Sequence, residues 1–96
     1  MIDKKQRIKL RSIGSTLKPV VNVGKDGFSD DVINAISEAL YTHELVKVSL
    51  MQSLDLPSND ELCVIATKLN ADVVATIGKK ILFYRYSDKK NIKHVL

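Results

Sequence analysis

The chain has 96 residues and a mass of 10.7 kDa, with 45% hydrophobic and 27% charged residues at a mean hydropathy of -0.03. That is enough apolar material for one compact domain over residues 1–96, and too little for a membrane-embedded chain or a disordered one. The net charge is +4, a single cysteine excludes an internal disulfide, and no apolar run approaches the roughly 20 residues that cross a bilayer, so a soluble cytoplasmic protein with an open functional surface is expected.

Charge is distributed unevenly. Residues 1–11 hold five cations against one acid, residues 12–78 four cations against nine acids, and residues 79–96 six cations against one acid. An acidic middle is therefore flanked by two basic ends, which form a face suited to a polyanion if folding brings them together.

The first predicted element is a helix over 3–17. Gln6, Leu10, Ile13 and Leu17 recur at spacings of three and four, while Lys4, Arg7, Arg11 and Lys18 form a cationic stripe beside them. Lys5 and Lys9 add to the charge of this helix, Ile8 falls on neither stripe, and Pro19 stops it. Val20 to Val23 reads as a short strand ending at Gly24. Ser29 then caps a helix with Asp30 and Asp31 in its first turn and Val32, Ile33, Ile36 and Leu40 on its buried side, ending near His43. Leu45 to Met51 alternates as a half-buried strand, which predicts that one sheet face stays partly open. After a polar loop with Pro57, Ser58 or Asn59 caps a third helix that Asn70 closes. Asp72 to Ile77 and Lys80 to Tyr86 make two final strands joined by a hairpin at Gly78 and Lys79. The order αβαβαββ, with right-handed crossovers putting both crossover helices on one face, predicts an α/β two-layer sandwich on a four-stranded mixed sheet. The basic tail 87–96 reads as either a flexible arm or a frayed terminus.

Between the first strand and the second helix lies Gly24-Lys25-Asp26-Gly27, a GxxG turn. Its glycines permit positive φ and close backbone approach, and the helix start behind it offers unpaired amides to a phosphate. No Gly-Lys-Ser or Gly-Lys-Thr follows, so nucleotide hydrolysis has no support. Asp26, Asp30 and Asp31 repel an anion here, so the turn works as a phosphate site only if Lys25, the helix stripe and the hairpin cations Lys79, Lys80 and Arg85 outweigh them. Cys63, between Leu62 and Val64, reads as a buried structural thiol rather than a nucleophile. His43-Glu44 lacks the second histidine of a zinc motif, and no metal or cofactor set is expected. His43 reads as support for a helix C-terminus, and of the late tyrosines Tyr84 is read as core.

Three strings, Leu17 to Gly27, His43 to Val48 and Ile77 to Arg85, resemble the CRM domain, and more narrowly its bacterial single-domain YhbY-type members, in order from about Lys4 to Tyr86. The resemblance implies a non-enzymatic RNA-binding module that associates with ribosomal RNA of large-subunit precursors and assists ribosome assembly, working as a monomer. It also implies a fold similar to the C-terminal domain of translation initiation factor three, with strand order 1-2-4-3 and an antiparallel last strand. The family's GxxG loop maps onto Gly24 to Gly27 and its basic first helix onto Lys4 to Arg11. The alternative is a protein-interaction module that uses the open sheet face and the acidic middle of the chain to dock a basic ribosomal protein.

Overall fold

A computed structural model describes residues 2–96. Its elements are α1 (Lys4–Gly14), β1 (Val21–Val23), α2 (Asp30–His43), β2 (Leu45–Leu50), α3 (Asn59–Leu69), β3 (Asp72–Ile77) and β4 (Lys80–Tyr84). The sheet order is β1-β2-β4-β3, with β1 parallel to β2 and β4 antiparallel to both β2 and β3. This is the expected α/β arrangement and strand order.

Local chemistry sets the boundaries. Asp3 caps α1 in a reciprocal pair with Gln6, Ser29 caps α2 through the Val32 amide, and Ser58 caps α3 in a second reciprocal pair with Glu61. Asn70 ends α3 in the left-handed region at φ 51°. α1 stops at Gly14, a turn earlier than the stripe to Leu17 predicts, because the Ser15, Thr16 and Leu17 amides close turn bonds on Arg11, Ile13 and Gly14.

The strand alternation divides the core in two. Val46, Val48 and Leu50 of β2 and Ile81 and Phe83 of β4 pack against α2 and α3. Leu45 of β2, Leu82 and Tyr84 of β4 and Val74 of β3 meet Leu10 of α1 on the other face. The expectation of a partly open face is corrected to this extent: α1 lies across it, close enough that a Cβ at Gly14 would stand 2.5 Å from Leu82 Cδ1. The right-handed crossover rule fixes α2 and α3 on one side, but α1 precedes the first strand and is free to take the other.

The tail is held rather than frayed. Glu44, fully buried at the end of α2, accepts hydrogen bonds from Ser87 N at 2.7 Å and Val95 N at 3.1 Å and pairs with His94 Nδ1 at 2.8 Å. Val95 packs with Ile2, Ile13 and Leu17 beside the α1 cluster.

Candidate functional site

Charge follows the two faces of the sheet. The face carrying α1 bears the exposed Lys4, Lys5, Lys9 and Arg11 of that helix, Lys18 just after it, and Lys47 and Lys80, which by alternation point to the same side of β2 and β4. The opposite helical layer carries Asp30, Asp31 and Glu38 on α2 and Asp60 and Glu61 on α3 against only Lys68. Among the described residues the only ion pair is His94 with Glu44, so no lysine or arginine is neutralised by a neighbouring carboxylate.

Three of the candidate cations donate to backbone carbonyls of the protein itself. Arg7 Nη1 donates to Val73 O at 2.6 Å and Val74 O at 2.8 Å, covering the outer edge of β3 where its register shifts. Arg85 donates to Leu69 O at 2.8 Å and Ser37 O at 2.7 Å, tying β4 to α2 and the end of α3. Lys79 Nζ donates to Leu54 O and ties down the loop before α3. Charge-assisted bonds to carbonyls are the stronger kind, and they keep these groups in place.

The glycine turn closes through Gly27 N to Gly24 O at 2.9 Å, with Gly27 at φ 66°. It lies at the same end of the sheet as the Gly78–Lys79 turn, since Leu50 N bonds to Lys79 O and Met51 N to Val23 O. Lys25 and Asp26 are both exposed there. The amino end of α1 lies towards the other end of the strands: Arg7 sits on Val74, four strand residues and so roughly 13 Å from Gly78. The cations thus form a band on the α1 face rather than a ring around the turn, and Lys80 is the hairpin cation that joins the band. A Cβ at Gly24 would meet nothing within 4 Å, so packing inside the fold does not require a glycine there.

Several side chains escaped the sequence reading. Lys47 read as the polar side of a strand, yet it is only 8% exposed and lines a cavity with Lys18 and His43. Glu44 read only as half of a failed zinc motif. Burial pushes its carboxyl up, but the bonds from Ser87, His94 and Val95 and the nearby His94 charge outweigh this and hold it below the ordinary carboxylate range. Burial, then the charges of Glu44 and Asp72, push the Tyr84 hydroxyl up, as suits its core position. Tyr86 is 65% exposed and stacks on His94 with ring centroids 4.7 Å apart. Cys63 is a correction: it is exposed, because α3 turns Leu62, Ile65 and Leu69 inward and leaves Cys63 on its outer side. Among the described residues no group of three or more metal-ligating side chains occurs, and no helix is long and apolar enough to cross a membrane.

Comparison with known proteins agrees with this architecture. The model of the CRS1 / YhbY (CRM) domain matches residues 2–85. The chain is 38% identical over 87 residues to a Bacillus subtilis protein named Probable RNA-binding protein YqeI, covering 91% of each chain. It is 36% identical over 93 residues to Probable RNA-binding protein PA4753 of Pseudomonas aeruginosa, covering 94% of this chain and 86% of that one. The solution structure of SAV1595 from Staphylococcus aureus superposes with a TM-score of 0.72 at 29% identity, covering 95% of each chain.

Proposed function

The chain belongs to the CRS1 / YhbY (CRM) domain family, and from that membership and its one-sided charge we propose that it is an RNA-binding protein. Its target is structured ribosomal RNA in precursors of the large subunit, whose assembly it assists in the cytoplasm as a monomeric, non-catalytic binding module. The observation that carries the reading is the band of Lys4, Lys5, Lys9, Arg11, Lys18 and Lys80, all exposed and none paired with a carboxylate. Unpaired cations on a rigid face give up no intramolecular ion pair when they meet phosphate. The relatives named as RNA-binding proteins support the same reading.

In this reading α1 supplies the main phosphate contacts. The Gly24–Gly27 turn adds a backbone approach at one end, with Lys25 as its cation, and Asp26 exposed beside it weakens that contact. Arg7, Lys79 and Arg85 act through the structure they hold. Contacts of this kind read RNA shape rather than base sequence. The test is binding of large-subunit ribosomal RNA fragments before and after reversal of Lys5, Arg11 and Lys18 to Glu. Binding should fall at least tenfold with an unchanged melting temperature, and undiminished binding overturns the reading.

One observation favours the second reading, a module docking a basic ribosomal protein. A cavity of about 360 Å³ between the glycine turn and α3, lined by Phe28, Leu54 and Val64, has Asp55 and Glu61 at its rim. Binding of a basic ribosomal protein that is lost on changing Asp55 and Glu61, and kept on changing the α1 cations, would favour this second reading.

A further inference from the structure

Beside α1, on the basic face, a cavity of about 280 Å³ is lined by Lys18, His43 and Lys47 and by no carboxylate. Lys47 is the unusual member. It sits in the middle of β2, between Val46 and Val48, and is 8% exposed, yet its side chain makes no hydrogen bond or ion pair with the described residues. Among the described residues no buried side-chain nitrogen lacks a partner, so its aliphatic stem is buried while the ammonium reaches the open space of the cavity. The nearest acid in sequence, Glu44, is already engaged by Ser87, His94 and Val95. The charge at position 47 therefore has no partner among the described residues and is available to an anion entering the cavity.

The remaining walls are aliphatic. Leu17, Val20 and Val95 contribute to them, and Val20 is 53% exposed although its own amide is fixed to Lys47 O at 3.0 Å. A site that combines cations with apolar walls fits a group that carries both an anion and an apolar surface. Inorganic anions use only half of it. The volume is just below the roughly 300 Å³ at which small-ligand cavities begin, so one nucleotide fills it with part of itself left in solvent.

We propose that this cavity is a pocket for a single unstacked nucleotide of RNA, with Lys47 and Lys18 on its phosphate and Leu17, Val20 and Val95 against its base. The proposal rests on the RNA-binding reading but adds what a band of surface cations lacks, a place where one nucleotide is taken out of the stack and held. Single-stranded loops and bulges in structured RNA supply such nucleotides, so the pocket would direct the protein to a bulge beside a helix rather than to uniform duplex.

The test follows the methyl resonances of Leu17, Val20 and Val95 by NMR during titration with inorganic phosphate, uridine monophosphate, and a hairpin RNA with or without a single-nucleotide bulge. The expected result is movement of these methyls with the monophosphate and the bulged RNA, with the bulged RNA bound about tenfold more tightly than the plain hairpin. Lys47→Met should remove that preference while retaining the fold, and Lys18→Ala, at an exposed site outside any helix or strand, should reduce it without touching the core. Methyls that stay fixed while the backbone amides of α1 still move with RNA overturn the pocket and leave the α1 reading standing. If inorganic phosphate binds as tightly as the monophosphate, or a basic ribosomal protein moves the methyls and nucleotides do not, the nucleotide assignment is overturned. Failure of every RNA to move any resonance overturns the RNA reading itself.

Discussion

Glu44 shows how much a single side chain can organise. It ends α2 at φ 63°, a conformation that favours glycine and costs a residue with a Cβ on the order of 1 kcal/mol. Glycine would lack the carboxylate that gathers Ser87 N, Val95 N and His94 and so holds the tail against α1. Because this carboxyl titrates below its ordinary value in the folded protein, its contribution is complete above about pH 4.5 and is lost as pH falls through the lower folded value. Glu44→Gln should lower the melting temperature at neutral pH and flatten its dependence on pH over the acid range below about 4.5. Thermal melts across that range would check it, an unchanged acid limb being the contrary result. Gly24 makes a different case, since an added Cβ there meets open space. Gly24→Ala should alter stability by no more than about 0.5 kcal/mol and yet weaken RNA binding if the turn touches a sugar-phosphate chain. Calorimetry on the variant, free and with RNA, separates the two effects. Cys63 should react promptly with a thiol reagent in the native state, as an exposed side chain does.

Among the elements, α1 is the one whose place decides the site. Its docking depends on Gly14, which lets the helix lie directly on Leu82. Gly14→Val forces a branched side chain into a space already filled by a core leucine and should cost about 1–3 kcal/mol, measurable by chemical denaturation. The loss should be accompanied by weaker RNA binding, because the cations of α1 move with it. Most of this element was legible in the sequence: the Leu10 stripe and the cations beside it lie where periodicity puts them, although Asp3 is the cap before the helix and not its first residue. Its side of the sheet was not, because handedness governs helices between parallel strands and α1 precedes them all. The two crossover helices and the hairpin were readable for the opposite reason, that caps at Ser29 and Ser58, the left-handed Asn70 and the tight Gly78 turn are local signals that no tertiary contact overrides. The roles of Arg7, Lys79 and Arg85 were hidden because a cation that serves a distant carbonyl has the same sequence appearance as one that faces solvent.

At the scale of the molecule, the uneven charge of the sequence becomes a difference between two faces, and this makes a quantitative prediction. Lys4, Lys5, Lys9, Arg11 and Lys18 are exposed, unpaired and close in sequence, so five phosphate contacts are a reasonable count for α1 and the turn after it. Releasing the counterions of about five phosphates gives a slope of log affinity against log salt of roughly −3.5 to −4.5. Each cation removed from the band should lower the steepness by about 1, so Lys5→Gln with Arg11→Gln should bring it to roughly half. Asp30→Asn with Asp31→Asn, on the opposite helical layer from the band, should leave the slope nearly as it was. The docking alternative reverses these expectations: a basic partner bound on α2 and α3 would lose its salt dependence with the aspartates and keep it with the α1 pair. Filter-binding or anisotropy titrations at four salt concentrations on these two double variants therefore decide which face meets the polyelectrolyte, and a slope near zero for the unaltered protein would remove phosphate neutralisation as the source of its affinity.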